Sequence, residues 1–368
     1  MFPPVAGPRA PAGAPPDTTE RGCTGRDPAA RRSCDSPRRG PLATSGYAST
    51  VHRPRCRQHR LAKETPHAVP QDRRDHRCLR RALQLPTDVA HFDEVDAAAS
   101  RVEAELGPVD VWVNDAMTTV FAPSWEVPPA DFQRAVEVTF LGQVWGTMAA
   151  LARMRPRDRG TILDVGSALA FIGIPLQSAY CSSKFACRGF FESVRAELLH
   201  EGSHVRMSMV HLPAVNTPQF NWSRTTLGRH PQPVPPIYQP EVCARFILEV
   251  ALDGRRDKVI GSWNKLLVMA AQLVPGFANQ YAAVGAWGTQ LTDQPVRADR
   301  PDNLSQPVDA QRDAGAHGIF DDKAGGFLDP SFLSSLPATA KNFAVAVGRV
   351  ASEKQEAYRN VIAKRRKK

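Results

Sequence analysis

From Leu83 to about residue 262 the chain alternates short apolar runs rich in β-branched residues with longer stretches of helical periodicity. No other feature limits the fold as much. The apolar run Ala82–Leu85 ends at Pro86-Thr87-Asp88-Val89, and an amphipathic helix is predicted from about Asp93 to Leu106, closed by Gly107-Pro108. Val109–Val113 reads as a buried strand entering Asn114-Asp115-Ala116-Met117. A helix from Pro129 to about Met154, a strand Thr161–Val165, a helix from about Ser178 to His200 and a strand Val205–Leu212 follow. Counting Ala82–Leu85 as the first strand, the order is βαβαβαβ. Right-handed crossovers turn such an order into a doubly wound, Rossmann-like parallel sheet of the α/β class, with ligands expected at the carboxyl ends of the strands.

The segment before this region has a different composition. Residues 1–82 hold 12 prolines, 16 arginines and one lysine, with no isoleucine and few large apolar side chains. Such a segment cannot bury enough surface to offset its ordering entropy, so it is predicted to be disordered. It also carries the whole charge excess: 17 Lys+Arg against 7 Asp+Glu, which leaves 30 against 30 of the chain totals 47 and 37 for residues 83–368. The remainder is therefore neutral, and a nucleic-acid partner is not expected, because the basic tail lacks interleaved aromatics. An out-of-frame reading of GC-rich coding sequence would leave the same composition.

The seven cysteines, at positions 23, 34, 56, 78, 181, 187 and 243, form no CxxC pair and no close-spaced framework, so neither zinc nor disulfides are expected and no metal is assigned. A reduced, cytoplasmic setting is the expectation. No signal peptide and no membrane span of 18 uninterrupted apolar residues is read.

Reducing a carbonyl requires a proton donor at the oxygen, a group that tunes that donor, and a cofactor carbon presented opposite. Tyr180-Cys181-Ser182-Ser183-Lys184 supplies the first two. Residues at i and i+4 share a helix face, so the Lys184 ammonium is placed to lower the Tyr180 phenol. Ser167, in Asp164-Val165-Gly166-Ser167, ends the preceding strand, and its hydroxyl can reach the same substrate oxygen.

These residues, taken in order, resemble the short-chain dehydrogenase/reductase superfamily. Asp88 in Thr87-Asp88-Val89 resembles the family's acidic residue at the adenine ring. Asn114-Asp115-Ala116-Met117 resembles its Asn-Asn-Ala-Gly element, with Asp115 and Met117 in place of the second Asn and the Gly. Pro213-Ala214-Val215-Asn216-Thr217 resembles its Pro-Gly-x-x-x-Thr element, where backbone and threonine meet the nicotinamide amide and phosphates. The resemblance implies hydride transfer with NAD or NADP, with Tyr180 as acid/base, Lys184 tuning it and holding the ribose, and Ser167 orienting the carbonyl. Thr139 stands at the position of the family's fourth catalytic member, an asparagine whose backbone carbonyl carries a water toward the lysine. The implied cofactor-binding set is Asp88, Asn114, Ala116, Tyr180, Lys184, Pro213, Val215 and Thr217.

The family's first βαβ unit and its Thr-Gly-x-x-x-Gly-x-Gly turn are not recognisable before Leu83, where only Thr24-Gly25 followed by Arg-Asp-Pro occurs. That departure predicts weak dinucleotide binding and slow turnover, and it leaves open a catalytically silent scaffold derived from the same fold. The choice between NAD and NADP is unreadable for the same reason.

Residues 213–240 read as an irregular, proline-rich lid, and Phe220, Trp222 and Tyr238 within it suit a fairly apolar small-molecule carbonyl or alcohol. Residues 83–262 form the catalytic domain in this reading, and residues 263–368 a helical extension. The extension has an apolar helical pattern over Leu266–Trp287, suited first to packing or a homo-oligomeric subunit contact and second to a membrane-surface helix. It ends in an amphipathic helix over residues 337–368 with a basic Arg365-Arg366-Lys367-Lys368 end.

Overall fold

A computed structural model describes residues 82–297, 299–308, 313–325, 337, 340–352 and 355–356. The predicted tail, except Ala82, and the basic C-terminal cluster lie outside the described residues.

Helix α1 (Phe92–Leu106) carries Asp93 and Glu94 in its first turn, where the macrodipole favours acid. It buries Val95, Ala99 and Val102 at helical spacing. Gly107, at φ 90°, ends it and returns its N–H to Glu103 O. Strands β1 (Val111–Asn114) and β2 (Val120–Phe121) follow. A continuous helical run spans Pro129–Arg157: α2 (Pro129–Val136), a π-helical segment Glu137–Leu141, α3 (Gly142–Met154) and a short 3-10 turn. By length and composition alone this run could cross a membrane, but half of its most apolar window is buried inside the protein. Then come β3 (Thr161–Ser167), α4 (Ser178–His200), β4 (Arg206–Leu212), β5 (Ala214–Val215), α5 (Gln219–Trp222), β6 (Arg224–Thr225), β7 (Arg229–Pro231) and β8 (Ile237–Tyr238). They are followed by α6 (Pro240–Asp253), β9 (Asp257–Val259), α7 (Ser262–Leu273), α8 (Pro275–Thr289) and β10 (Leu291–Pro295). Residues 340–352 form a ninth helix, α9.

The main sheet is parallel throughout, in the order β1-β3-β4-β9. Alternation along its strands sends side chains to two separate cores. Trp112, Ile162, Met207 and Met209 meet Val95, Ala99, Val102 and Phe191 on one face. Val111, Val113, Leu163, Val165 and Val210 meet Val250 and Ala251 of α6 on the other. Both faces of the sheet are thus covered by helices, which is why β3 is buried along its whole length. The chain folds as a Rossmann-like α/β domain.

Three expectations are corrected. Ala82–Leu85 forms no ladder, because no strand among the described residues lies beside it, and Leu83 and Leu85 instead pack against the α1 core. The stretch after Pro213 is not an irregular lid: β5 pairs with β8, β6 with β2, and β7 with β10, so short strands pin it to the body. The apolar pattern over Leu266–Trp287 is two helices, not one. Pro275 has no amide proton to continue α7, and the chain turns at Val274.

Candidate active site

The carboxyl ends of β1, β3 and β4 open on a cavity of about 750 Å3, a size typical of small-molecule sites. Asp115, Ser167, Tyr180, Lys184, Pro213, Val215 and Thr217 all line it. The strand register explains how they meet: Ser167 at the end of β3 lies beside Leu212 at the end of β4, directly before Pro213.

Helix α4 delivers Tyr180 and Lys184 to this edge. The Lys184 ammonium donates to Val165 O at 2.7 Å and sits 5.8 Å from the Tyr180 ring centroid. The Ser167 hydroxyl accepts from Leu169 N at 3.1 Å, which fixes its orientation, and it lines the cavity together with Tyr180. Burial raises the phenol above its ordinary value of 10.0, while Lys184 and Ser167 act in the opposite direction. The predicted pull of Lys184 is therefore present but is outweighed by desolvation, and Tyr180 is protonated at neutral pH. Burial disfavours the Lys184 cation, but the surrounding acidic groups, Tyr180 first, hold its pKa above 10.5, so it stays charged.

Behind this pair is a polar network that sequence reading did not find. Asp164, fully buried in β3, accepts from Asn114 Nδ2 at 2.8 Å, and Asn114 also bonds Thr147 Oγ1 at 3.0 Å and accepts from Trp112 Nε1 at 2.7 Å. Burial pushes the Asp164 carboxyl up to about 7, against the pull of Asn114, Lys184 and Gln143. Its Oδ2 has no hydrogen-bond partner in the protein. His211, beside Ser167 O at 3.2 Å and edge-on to Phe171, is pushed down to about 4 by burial and is neutral. Gly166 makes room for it, since a Cβ there would lie 2.6 Å from His211 Nδ1.

Not every predicted residue reaches the cavity. Asp88 is buried and committed to Arg134 Nη2 at 2.9 Å and to Ala90 N at 3.1 Å, so its carboxylate faces protein. Asn114 points into the network just described, and Ala116 packs against the α1 core. Thr139 is fully buried in the π-helical segment. Its hydroxyl bridges the N–H and C=O of Thr118, and its carbonyl accepts from Cys187 Sγ at 3.3 Å. Asp115 is exposed on the cavity wall, where surrounding protein raises its carboxyl and Lys184 lowers it. Of the three lid aromatics, Phe220 and Trp222 line the cavity, and Tyr238 does not.

The C-terminal extension completes the site. Gln177, the residue before α4, donates to Gln290 Oε1 at 2.7 Å, and Gln290 Nε2 in turn bonds Pro175 O and Ala286 O, each at 2.8 Å. The end of α8 is thereby fastened to the start of the helix carrying Tyr180. No single-residue signal marks this contact, because the two glutamines are 113 positions apart.

A family model described as short chain dehydrogenase matches residues 59–227, beginning ahead of the boundary read at Leu83. The uncharacterized oxidoreductase YxnA of Bacillus subtilis (strain 168) is 31% identical over 216 residues, covering 58% of this chain and 61% of its own. The 3-dehydrosphinganine reductase of Danio rerio is 30% identical over 183 residues, covering 49% and 54%. This chain thus spans little more than half the length of these relatives. A crystal structure of a metagenomic short-chain oxidoreductase in complex with NADP is 24% identical, with a TM-score of 0.37 over 47% of this chain and 70% of that one. Strand order, the Ser167–Tyr180–Lys184 cluster and the family match thus agree in giving the chain a short-chain dehydrogenase/reductase-like region over residues 59–227.

Proposed function

We propose that the chain transfers hydride between a nicotinamide cofactor, NAD or NADP, and a small-molecule carbonyl or alcohol, with Tyr180 as the general acid/base. The observation that carries this reading is that Ser167 and Tyr180 line one cavity, with a buried, charged Lys184 beside the Tyr180 ring. The described residues fit the nicotinamide-ribose end of the cofactor. Lys184 commits one of its three protons to Val165 O, and Pro213, Val215 and Thr217 form the adjoining wall. When bound, the cofactor supplies or accepts the hydride. In the reduction direction Tyr180 donates its proton to the substrate oxygen, Ser167 orients that oxygen, and Lys184 stabilises the phenolate left behind.

A second reading, a silent scaffold on the same fold, is favoured by the absence of a recognisable glycine-rich phosphate turn in residues 1–82. Fluorescence titration of the purified chain with NADH and NADPH, followed by assay of cofactor oxidation with a ketone, separates the two. Saturable binding with turnover supports the enzyme; no binding of either cofactor up to millimolar concentration supports the scaffold. A cytoplasmic setting suits the described cysteines, Cys181, Cys187 and Cys243, which are unpaired thiols.

A further inference from the structure

The cavity that holds Ser167 and Tyr180 does not end at the sheet edge. Trp263 and Leu267 of α7 and Tyr281, Ala282 and Ala286 of α8 line the same space, so it runs from the proton donor into the C-terminal extension. The charges on its wall are confined to the sheet side. Among the described residues, Asp115 and Lys184 are the only carboxylate or ammonium side chains lining it, and no arginine lines it at all. The α7–α8 side offers aromatic rings, aliphatic groups and small residues, and its polar groups, the Trp263 indole, the Asn264 amide and the Tyr281 and Thr289 hydroxyls, are all uncharged. A phosphate or carboxylate placed there would be desolvated with no cation among the described residues to pair with, which is costly.

The wall is also fixed in place. Ala271, Ala278 and Ala282 form one buried cluster with Ile172, against which Ala286 packs, and Gln290 anchors α8 to the start of α4. The space is therefore a preformed part of the site.

We infer that α7 and α8 form the substrate-chain subsite, and that the substrate is an uncharged molecule whose apolar body extends from the reacting carbonyl or hydroxyl into the extension. This rests on the reading of Tyr180 as acting at that oxygen. Affinity should then rise with apolar length, because each methylene moved out of water contributes a near-constant increment, roughly two- to fourfold in affinity.

Calorimetric titration of the whole chain, without cofactor, with butanone, octanone, dodecanone and dihydroxyacetone phosphate tests this. Stepwise tightening with chain length and no heat from the phosphorylated ketone are expected. A flat length dependence, or tighter binding of the phosphorylated ketone, would overturn the inference. Ala286→Phe, which fills the wall, should move the preferred length toward shorter chains, and Leu267→Gln should weaken dodecanone more than butanone. Should both variants melt like the parent and keep its length dependence, α7 and α8 are not the subsite. The outcomes also separate the two claims. Length-dependent binding without any cofactor oxidation keeps the subsite and removes the catalytic reading, whereas turnover confined to short or charged ketones does the reverse.

Discussion

Replacing Asp164 with asparagine should make the protein more stable at alkaline pH and change the shape of its stability profile. The carboxyl is fully buried, and its pKa is about 7 against an ordinary value of 3.8. A group whose native pKa lies above its unfolded value binds more protons when folded. Its native state is therefore penalised progressively as pH rises from about 4 to about 7, and the penalty is constant above that range. A rise of that size corresponds to about 4 kcal/mol at pH ~8, falling to about 1 kcal/mol at pH ~4.5. Asparagine keeps the shape and still accepts the Asn114 amide at Oδ1, but it has no charge to bury. Urea unfolding of both proteins at about pH 8 and about pH 4.5 measures the difference directly. The variant should gain up to about 4 kcal/mol at the higher pH and converge on the parent at the lower one. An equal or negative difference at both values would show that Asp164 is not a destabilised carboxylate.

Two further outcomes follow from packing and from an exposed histidine. Gly146→Ala should destabilise by roughly 1–3 kcal/mol in thermal melts, because its new Cβ would collide with Asn114 Oδ1 and crowd Trp112 Nε1; a neutral result would mean the network yields freely. His317 bonds Asp321 Oδ1 at 2.9 Å and Glu241 Oε1 at 2.6 Å, and these contacts raise its pKa above 6.5. Its stabilisation is complete below about 6.5 and is lost as pH rises through the raised native value. Hydrogen exchange across residues 313–325, corrected for intrinsic rate, should speed up on that side, and His317→Gln should remove the dependence.

Sequence periodicity located the central elements well where one physical signal dominated. Helix α4 occupies Ser178–His200 as read, because its buried residues recur along one face, and β3 and β4 begin within one residue of where their largely apolar runs placed them. Tyr180, Lys184 and Ser167 were legible because local spacing and a strand-to-helix connection suffice to bring them together. What was missed depended on distance in sequence. Asp88 looks like a ligand contact until Arg134, 46 residues away, takes its carboxylate. Asp164 reads as a polar interruption in an apolar strand, and only the fold shows that Asn114 meets it. The lid after Pro213 seemed irregular because its strands are two or three residues long, too short for alternation to register.

The role of Tyr180 is the centre of the account, and the kcat of its phenylalanine variant tests it most directly. With NADH or NADPH at saturating concentration and an alkyl ketone as substrate, Tyr180→Phe removes only the phenolic proton and leaves the aromatic ring in place. The account predicts a fall in kcat of about 10²–10⁴, the contribution of a positioned general acid, with cofactor affinity nearly unchanged. A variant that oxidises the cofactor at the parent rate would contradict it.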